Sequence, residues 1–318
     1  MTRWAVERGD IRDDAGGIRW VMLRALVVIA LAIGPATSGA PGRVLTGHAA
    51  SLSLQAAALG RPITDVVAAA PADDVPRIQG QLTIFTAASL TDAFKEIAAN
   101  IERANPGTTL QFNFAGSPTL RMQLAQGARA DVFAAADEPN MRGAQQHGSI
   151  MSEPRMFARN RLVVIVPAHN TAGITTLEDL AKPRMKLVLA NKDVPVGNYT
   201  RQSLAKMSQN LSFVGDFAAR VLANLVSEET NVKQVVAKVQ LGEADAGIVY
   251  SSDVTPTVRP AVKVIEIPDQ ANVIARYPIA VVSGAQNEVG ARAFIEYVLS
   301  AAGQAILIRH GFISAGSS

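Results

Sequence analysis

Residues 82–101, LTIFTAASLTDAFKEIAANI, decide the fold class of this chain. The first five residues are typical of a short strand. The apolar residues that follow recur at spacings of 4, 3 and 4, at Leu90, Phe94, Ile97 and Ile101. That spacing predicts an amphipathic helix. Ser89 lies where the strand meets the helix and fits the N-cap, with Asp92 as a weak capping-box partner.

The same alternation of strands and helices continues to the end of the chain. Further strands are predicted at 110–114, 131–135, 162–166, 186–190, 246–250, 262–265 and 279–282. Further helices are predicted around 120–124 and at 198–208, 213–225, 231–241 and 287–309. Strands that alternate with helices indicate an α/β protein with mostly parallel sheets flanked by helices.

The composition excludes several classes of protein. The 318 residues favour two domains, and a net charge of +3 is too small to suggest a nucleic-acid binder. The chain has no cysteine, which excludes a disulfide scaffold, a thiolate metal site and a lipid anchor on cysteine. The four histidines are scattered, with no pair at metal-ligand spacing. Aromatic residues are only 5%, so the core is expected to be mainly Ala, Val, Leu and Ile.

The N-terminal 80 residues do not resemble a folded domain. Nine apolar residues at 25–33 follow Arg24, and small residues then lead to Ala40. This pattern predicts a cleaved signal peptide at 1–40, with Met22 as a possible true start; a buried core helix is the alternative. Residues 41–81 are rich in Ala, Gly and Pro and are interpreted as a flexible linker.

Three junctions between a strand and a helix are candidates for a binding site. Ser89 stands at the first, Ser117 with Pro118 at the second, and Val232 opens a helix at the third. Helix starts carry unpaired N–H groups that favour anions, and in α/β sheets they cluster where ligands bind. The alternative is that each is an ordinary helix cap. No lysine or arginine stands at these turns, and no nucleotide-binding glycine motif is present.

Other candidates each have a structural alternative. Tyr250 ends a strand and could offer its hydroxyl to a ligand, or it could simply pack on the sheet. The turn 194–199, VPVGNY, could direct a backbone N–H outward, or it could be only a loop. Asp131 and Asp137 flank a strand, but sequence alone does not make them a catalytic pair. Residues 251–253 lack the pattern of a nucleophile elbow.

Five motifs in order resemble those of a known family. They are 87–91 AASLT, 115–120 AGSPTL, 127–133 GARADVF, 194–199 VPVGNY and 247–253 GIVYSSD. Together they are similar to the periplasmic molybdate-binding proteins of molybdate ABC transporters, which are type II periplasmic binding proteins. The resemblance covers residues 82–313. The sequence Gly-Ser-Pro at 116–118, where the family often has three serines, and the long N-terminal extension depart from it.

The resemblance implies two α/β domains, joined by a hinge of two chain crossings, that close on one tetrahedral oxyanion. Domain I is expected at 82–163 and 279–318, and domain II at 166–275. The implied ligand contacts are the hydroxyls of Ser89, Ser117 and Tyr250 and the backbone N–H groups of Val196 and Val232.

The expected function is capture of molybdate, with tungstate, and delivery to the membrane permease of an ABC transporter. The alternatives are a receptor for sulfate or thiosulfate and, less favoured, an enzyme on the same fold. We expect no enzyme activity, no cofactor, no direct protein ligand to metal and no nucleic-acid partner. The protein is expected to be a periplasmic monomer without a lipid anchor.

Overall fold

Two β-sheets, each flanked by helices, make up the described part of the chain. A computed structural model gives the structure for residues 75–209, 213 and 216–316. The predicted signal peptide and residues 41–74 of the predicted linker lie outside these residues. The described strands are β1 Gln81–Ala87, β2 Thr109–Ala115, β3 Val132–Ala134, β4 Arg155–Asn160, β5 Leu162–Pro167, β6 Leu187–Ala190, β7 Leu225–Glu229, β8 Ala246–Tyr250, β9 Val262–Glu266, β10 Ala275–Val281 and β11 Ile313–Ser314. The described helices are α1 Thr91–Ala104, α2 Ser117–Ala125, α3 Glu138–Gln146, α4 Pro195–Gln209, α5 Phe217–Ala223, α6 Val232–Gln240, α7 Glu288–Leu299 and α8 Ala301–Arg309.

Both sheets belong to one compact unit, which holds all of the described residues. The first sheet has the strand order β11-β4-β10-β3-β1-β2, and helices α1, α2, α3, α7 and α8 pack on it. The second sheet has the order β7-β6-β8-β5-β9 and carries α4 and α6, with α5 against α4. We call residues 75–160 and 275–316 the first lobe and residues 162–274 the second lobe.

The sheets are mixed rather than mostly parallel. β1 pairs in parallel with β2 and β3, and β6 with β7 and β8, but β10, β4, β11, β5 and β9 pair antiparallel. Parallel neighbours need a long crossover, usually a helix. The chain instead passes from β4 to β5 through Arg161 alone and returns from β9 to β10 through residues 267–274 without a helix. Strands joined by such short connections are added to their sheets in the antiparallel direction.

The crossings between the sheets lie slightly earlier in the chain than the sequence predicts. All of β5 pairs with β8 and β9 in the second sheet, and all of β10 pairs in the first. The chain therefore crosses at Arg161 and ahead of Ala275, not at 163–166 and 276–279. That the two lobes are separate domains that move about these crossings stays a prediction.

The last residues of the predicted linker are fixed to the first lobe. Ile78 is 2% exposed, its N–H donates to Asn105 Oδ1 at 3.0 Å, and its carbonyl accepts from Thr108. The prediction of a flexible linker is therefore wrong for residues 75–81.

The first lobe is closed by an aromatic cluster around α1. Phe94 is fully buried and contacts the rings of Phe112, Phe157 and Phe294 at centroid distances of 6.3, 5.8 and 5.6 Å. Burial of one such side chain stabilises the fold by about 1.5–3 kcal/mol. The amphipathic stripe of α1 is thus what holds it on the sheet.

The single helix predicted at 287–309 is two helices. Ser300 has extended backbone (ψ 164°), and its hydroxyl accepts the N–H of Gly303 to cap α8. A Cβ at Gly303 would lie 2.1 Å from the Tyr297 carbonyl oxygen, so glycine permits the sharp break. No single helix in the described ranges is long and apolar enough to cross a membrane; α7 and α8, bent by 63°, would pass that test only as a pair.

Candidate functional site

A small cavity, partly open to solvent, lies between the lobes. Its first-lobe wall comes from the ends of β1 and β2 and from Ala136, and its second-lobe wall from the starts of α4 and α6 and the end of β8. The lining residues are Ala87, Ala88, Ser89, Ala115, Gly116, Ser117, Ala136, Val194, Pro195, Val196, Asn231, Val232 and Tyr250. The structure therefore brings together all five residues predicted to contact the ligand.

Ser89 occupies a different local position from the one predicted. A 3-10 turn, Ala88–Leu90, lies between β1 and α1, and the N-cap of α1 is Leu90 with no side-chain cap bond. The Ser89 hydroxyl instead lies 3.0 Å from the hydroxyl of Tyr277. The capping predictions for Ser89 and Asp92 are wrong, because the added turn makes Leu90 the N-cap and Asp92 the second rather than the third residue of α1.

Ser117 is the first residue of α2, and Gly116, not Ser117, is its N-cap. The Ser117 hydroxyl oxygen accepts the backbone N–H of Ala136 at 3.0 Å. A serine hydroxyl has one proton to donate, and no described residue takes it. Ser117 is 1% exposed and lines the cavity, so its hydroxyl is free to donate toward the cavity.

The starts of α4 and α6 supply backbone donors from the second lobe. The predicted turn at 194–199 is wrong from Pro195 onward, because α4 already begins there. Val196 and Val232 lie in the first turns of their helices, where N–H groups lack intrahelical acceptors. A Cβ at Gly197 would lie 2.1 Å from the Asn191 carbonyl oxygen, so glycine lets α4 start this close to β6.

Tyr250 is buried, and its hydroxyl is unsatisfied. The residue is 1% exposed, and no hydrogen-bond partner for its hydroxyl exists among the described residues. Burial raises the pKa of the phenol well above its usual range, so it remains a neutral donor. A buried polar group without a partner costs free energy, and such groups call for an explanation. A bound anion at this wall of the cavity would supply the missing acceptor.

A lysine, Lys233, lies beside the site. The sequences of the three candidate junctions did not predict it. Lys233 follows Val232, and its Nζ lies 2.8 Å from Asp92 Oδ2 of the first lobe and 3.5 Å from Asp253 Oδ1. Burial would lower the pKa of Lys233, but the two carboxylates outweigh burial and raise it. Burial raises the pKa of Asp253 to about 6, although Lys233 opposes the shift. The lysine charge is thus matched by carboxylates and lies outside the cavity lining.

The lobes approach each other closely at Gly116. A Cβ at this position would lie 2.3 Å from the Thr230 carbonyl oxygen across the cleft. No side chain other than hydrogen fits there in this arrangement. The glycine that interrupts the family's serine pattern therefore allows the two walls to meet.

The chemistry of the lining suits a fully deprotonated anion. Tyr250 is the one titratable side chain among the lining residues, so the cavity offers neutral O–H and N–H donors and no acid–base pair. In the described ranges no cluster of three or more His, Asp or Glu residues could hold a metal ion. Asp137 lies next to the lining residue Ala136, but it caps α3 by accepting from Asn140. Burial raises its pKa.

Two further residues near the site were missed by sequence reasoning. Tyr277 lies on β10 and Asn160 at the end of β4, and neither belongs to a candidate junction or to one of the five motifs. Both are buried and belong to the hydrogen-bond network that reaches Ser89. The only sequence signal for either residue is that a polar side chain interrupts an apolar strand. Many residues with a purely structural role show the same pattern, so it does not identify a site.

Comparisons with known proteins identify the family of this chain. The chain matches the family described as bacterial extracellular solute-binding protein over residues 82–313. It is 38% identical over 231 residues to the molybdate-binding protein ModA of Mycobacterium tuberculosis, covering 73% of this chain and 84% of that protein. The structure of the periplasmic molybdate-binding protein of Azotobacter vinelandii matches with a TM-score of 0.63 at 18% identity, covering 73% of this chain and 98% of that one. The sulfate-binding protein SubI of M. tuberculosis matches with a TM-score of 0.67 at 15% identity, covering 75% and 88%.

These matches confirm the resemblance drawn from the five motifs and the α/β fold of type II periplasmic binding proteins. The matching proteins bind solutes and act outside the cytoplasm, so this chain is an extracytoplasmic binding protein rather than an enzyme. The chain belongs to the family of bacterial extracellular solute-binding proteins.

Proposed function

We propose that this protein captures molybdate, and tungstate with it, for an ABC transporter. The observation that carries the proposal is the unsatisfied Tyr250 hydroxyl in a cavity that also gathers Ser89, Ser117, Val196 and Val232. The 38% identity to a molybdate-binding protein supports the choice of anion.

The donor set is sufficient for tight binding without a counter-charge. A hydrogen bond to a charged group contributes about 1.5–3 kcal/mol. Five to seven such bonds support a dissociation constant below about 1 µM after the costs of association are subtracted. Helix N-termini at α4 and α6 add favourable dipoles for a dianion.

Selectivity is expected to come from the size of the cavity. Molybdate and tungstate are larger than sulfate and carry the same charge near neutral pH. The close approach of Gly116 to Thr230 fixes how far the walls can come together, and this limits contact with a smaller ion. A sulfate or thiosulfate receptor is therefore the alternative to be tested, and the likeness to SubI concerns the fold alone.

The proposal includes a setting, of which the family supports the permease partner and the extracytoplasmic location. The partner is the membrane permease of an ABC transporter, and the protein acts in the periplasm as a monomer after cleavage of its signal peptide. It needs neither a cofactor nor a nucleic acid, molybdenum is held only as the oxyanion, and the cysteine-free chain has no lipid anchor.

A thermal-unfolding panel tests the proposal. A ligand that binds only the folded protein raises the melting temperature by mass action, equivalent to about 2.7 kcal/mol at a hundred times Kd. Molybdate and tungstate are expected to raise it strongly, and sulfate, thiosulfate and phosphate much less at equal concentration. An equal rise with sulfate, or none with molybdate, contradicts the proposal.

A further inference from the structure

Asn160 lies where the chain leaves the first lobe, and its amide orientation is fixed by its neighbours. The Arg161 backbone N–H donates to Asn160 Oδ1 at 3.0 Å, and so does the Ser251 hydroxyl. A backbone N–H can only donate, so the oxygen must face it. The amide NH₂ therefore faces the other way, toward Ser252 Oγ at 2.8 Å and the Tyr277 hydroxyl at 3.4 Å.

This orientation decides the direction of the hydrogen bond between Tyr277 and Ser89. The Tyr277 oxygen receives an N–H from Asn160, so its own proton must go to another acceptor. The Ser89 hydroxyl oxygen lies 3.0 Å away. The Tyr277 hydroxyl therefore donates to Ser89, and the Ser89 proton is left for a different acceptor.

The Tyr277 ring cannot turn away to change this arrangement. The residue is 0% exposed, and its ring is enclosed by Phe157, Tyr250 and Phe312 at centroid distances of 6.2, 5.8 and 5.5 Å. Burial raises the pKa of the phenol, so its proton stays in place.

We propose that Tyr277 is a positioning residue that, held by Asn160, makes Ser89 an obligatory donor to the bound anion. The proposal rests on the proposed function. It puts Ser89 in the same state as Ser117, whose oxygen accepts the Ala136 N–H and whose proton has no acceptor among the described residues. Both serines then have a proton to donate into the cavity.

The consequence is a preference for fully deprotonated dianions over anions that carry an O–H group. The size of the cavity alone does not produce this preference. A site whose hydroxyls each direct a proton inward suits the oxygens of a fully deprotonated dianion. Hydrogen phosphate and hydrogen arsenate carry an O–H that needs an acceptor, and a Ser89 oxygen that already accepts from Tyr277 has one lone pair fewer to offer it. Without the Tyr277 hydroxyl, Ser89 is free to turn and accept.

The test is a double-mutant cycle with Tyr277→Phe and Ser89→Ala, read by calorimetric titration with molybdate and with arsenate. Tyr297→Phe is the matched control, because Tyr297 is equally buried in the first lobe and its hydroxyl has no partner within the described residues. Thermal unfolding without ligand is recorded for each variant to show that it folds.

We expect Tyr277→Phe to weaken molybdate binding about three- to tenfold in the parent and less than about twofold in the Ser89→Ala background. The ratio of molybdate to arsenate affinity should fall in Tyr277→Phe and stay constant in Tyr297→Phe. Equal losses of molybdate affinity in both backgrounds, or an unchanged ratio, overturn the positioning role while the proposed function stands. Failure of the parent protein to bind molybdate overturns both.

Discussion

Lys233 Nζ of the second lobe lies 2.8 Å from Asp92 Oδ2 of the first, and Lys233 directly follows the cavity-lining residue Val232. The pair spans the cleft, so it exists only while the lobes are together. It ties the start of α6 to α1, so a ligand that holds the lobes together is expected to benefit from it.

Asp92→Asn is expected to weaken molybdate binding without loss of stability in the ligand-free protein. Both side chains are partly exposed, at 44% and 29%, and such pairs contribute at most about 1 kcal/mol, so the loss should be at most about fivefold and should shrink with added salt. Calorimetry at low and high salt measures it. Glu288→Gln, which removes a surface ion pair within α7, is the control and should leave affinity unchanged. A salt-independent loss would contradict the role of the pair.

Gly116→Ala is expected to block closure. The backbone at this position (φ −64°, ψ 140°) suits any residue, so the ligand-free protein should fold normally. The added methyl would meet the Thr230 carbonyl oxygen only when the lobes come together, and affinity should fall more than about tenfold, as expected for a backbone clash. Solution scattering with saturating molybdate should show less compaction than in the parent.

The matched control is Gly143→Ala, whose new methyl meets only the flexible Arg121 side chain within the first lobe. Parent-like affinity in Gly116→Ala would show that the contact with Thr230 does not limit closure.

Tyr250→Phe separates a ligand contact from a packing role. If the hydroxyl donates to the anion, affinity should fall about five- to a hundredfold. The ligand-free protein should be no less stable, because the hydroxyl has no partner in the described structure and the ring still packs on Tyr277. Calorimetry and a ligand-free denaturation curve are measured together. Unchanged affinity would remove Tyr250 from the site.

Asp253 is expected to make stability depend on pH near 6. Its pKa is raised by burial from 3.8 to about 6, so the folded protein holds this proton more tightly than the unfolded chain. The stability from this group is therefore full below pH 4 and is lost as the pH rises through 6.

The comparison with Asp253→Asn isolates this group from all other carboxylates. The unfolding free energy of the parent, minus that of the variant, should fall by on the order of 2 kcal/mol between pH 4 and pH 7. Glu96 and Glu229, whose pKa values are lowered by their cationic partners despite burial, act in the opposite direction but cancel in the difference. Parallel stability curves would contradict the shifted pKa.

The sequence predicted the elements that have strong local patterns. β1 and α1 follow from alternation and a 4, 3, 4 spacing, and α6 follows from its apolar stripe. The missed elements lack such signals. β4 reads RMFARN, α3 starts with EPN and contains a glycine, and β7 reads LVSEE with mostly exposed or half-buried residues.

The five lining residues were predicted from motifs, but their arrangement was not. Ser89 turned out to bond Tyr277, 188 residues away in the chain, and Asp92 to bond Lys233 across the cleft. Gly116 matters because of where Thr230 lies in the other lobe. These contacts depend on how the two lobes meet, and no local pattern in the sequence records that.

Calorimetric titration of the purified protein with molybdate, alone and in about a hundredfold excess of sulfate, tests the central claim most directly. The account predicts one molybdate bound per chain with a Kd below about 1 µM, little changed by the sulfate. No binding of molybdate, or its displacement by sulfate, would contradict it.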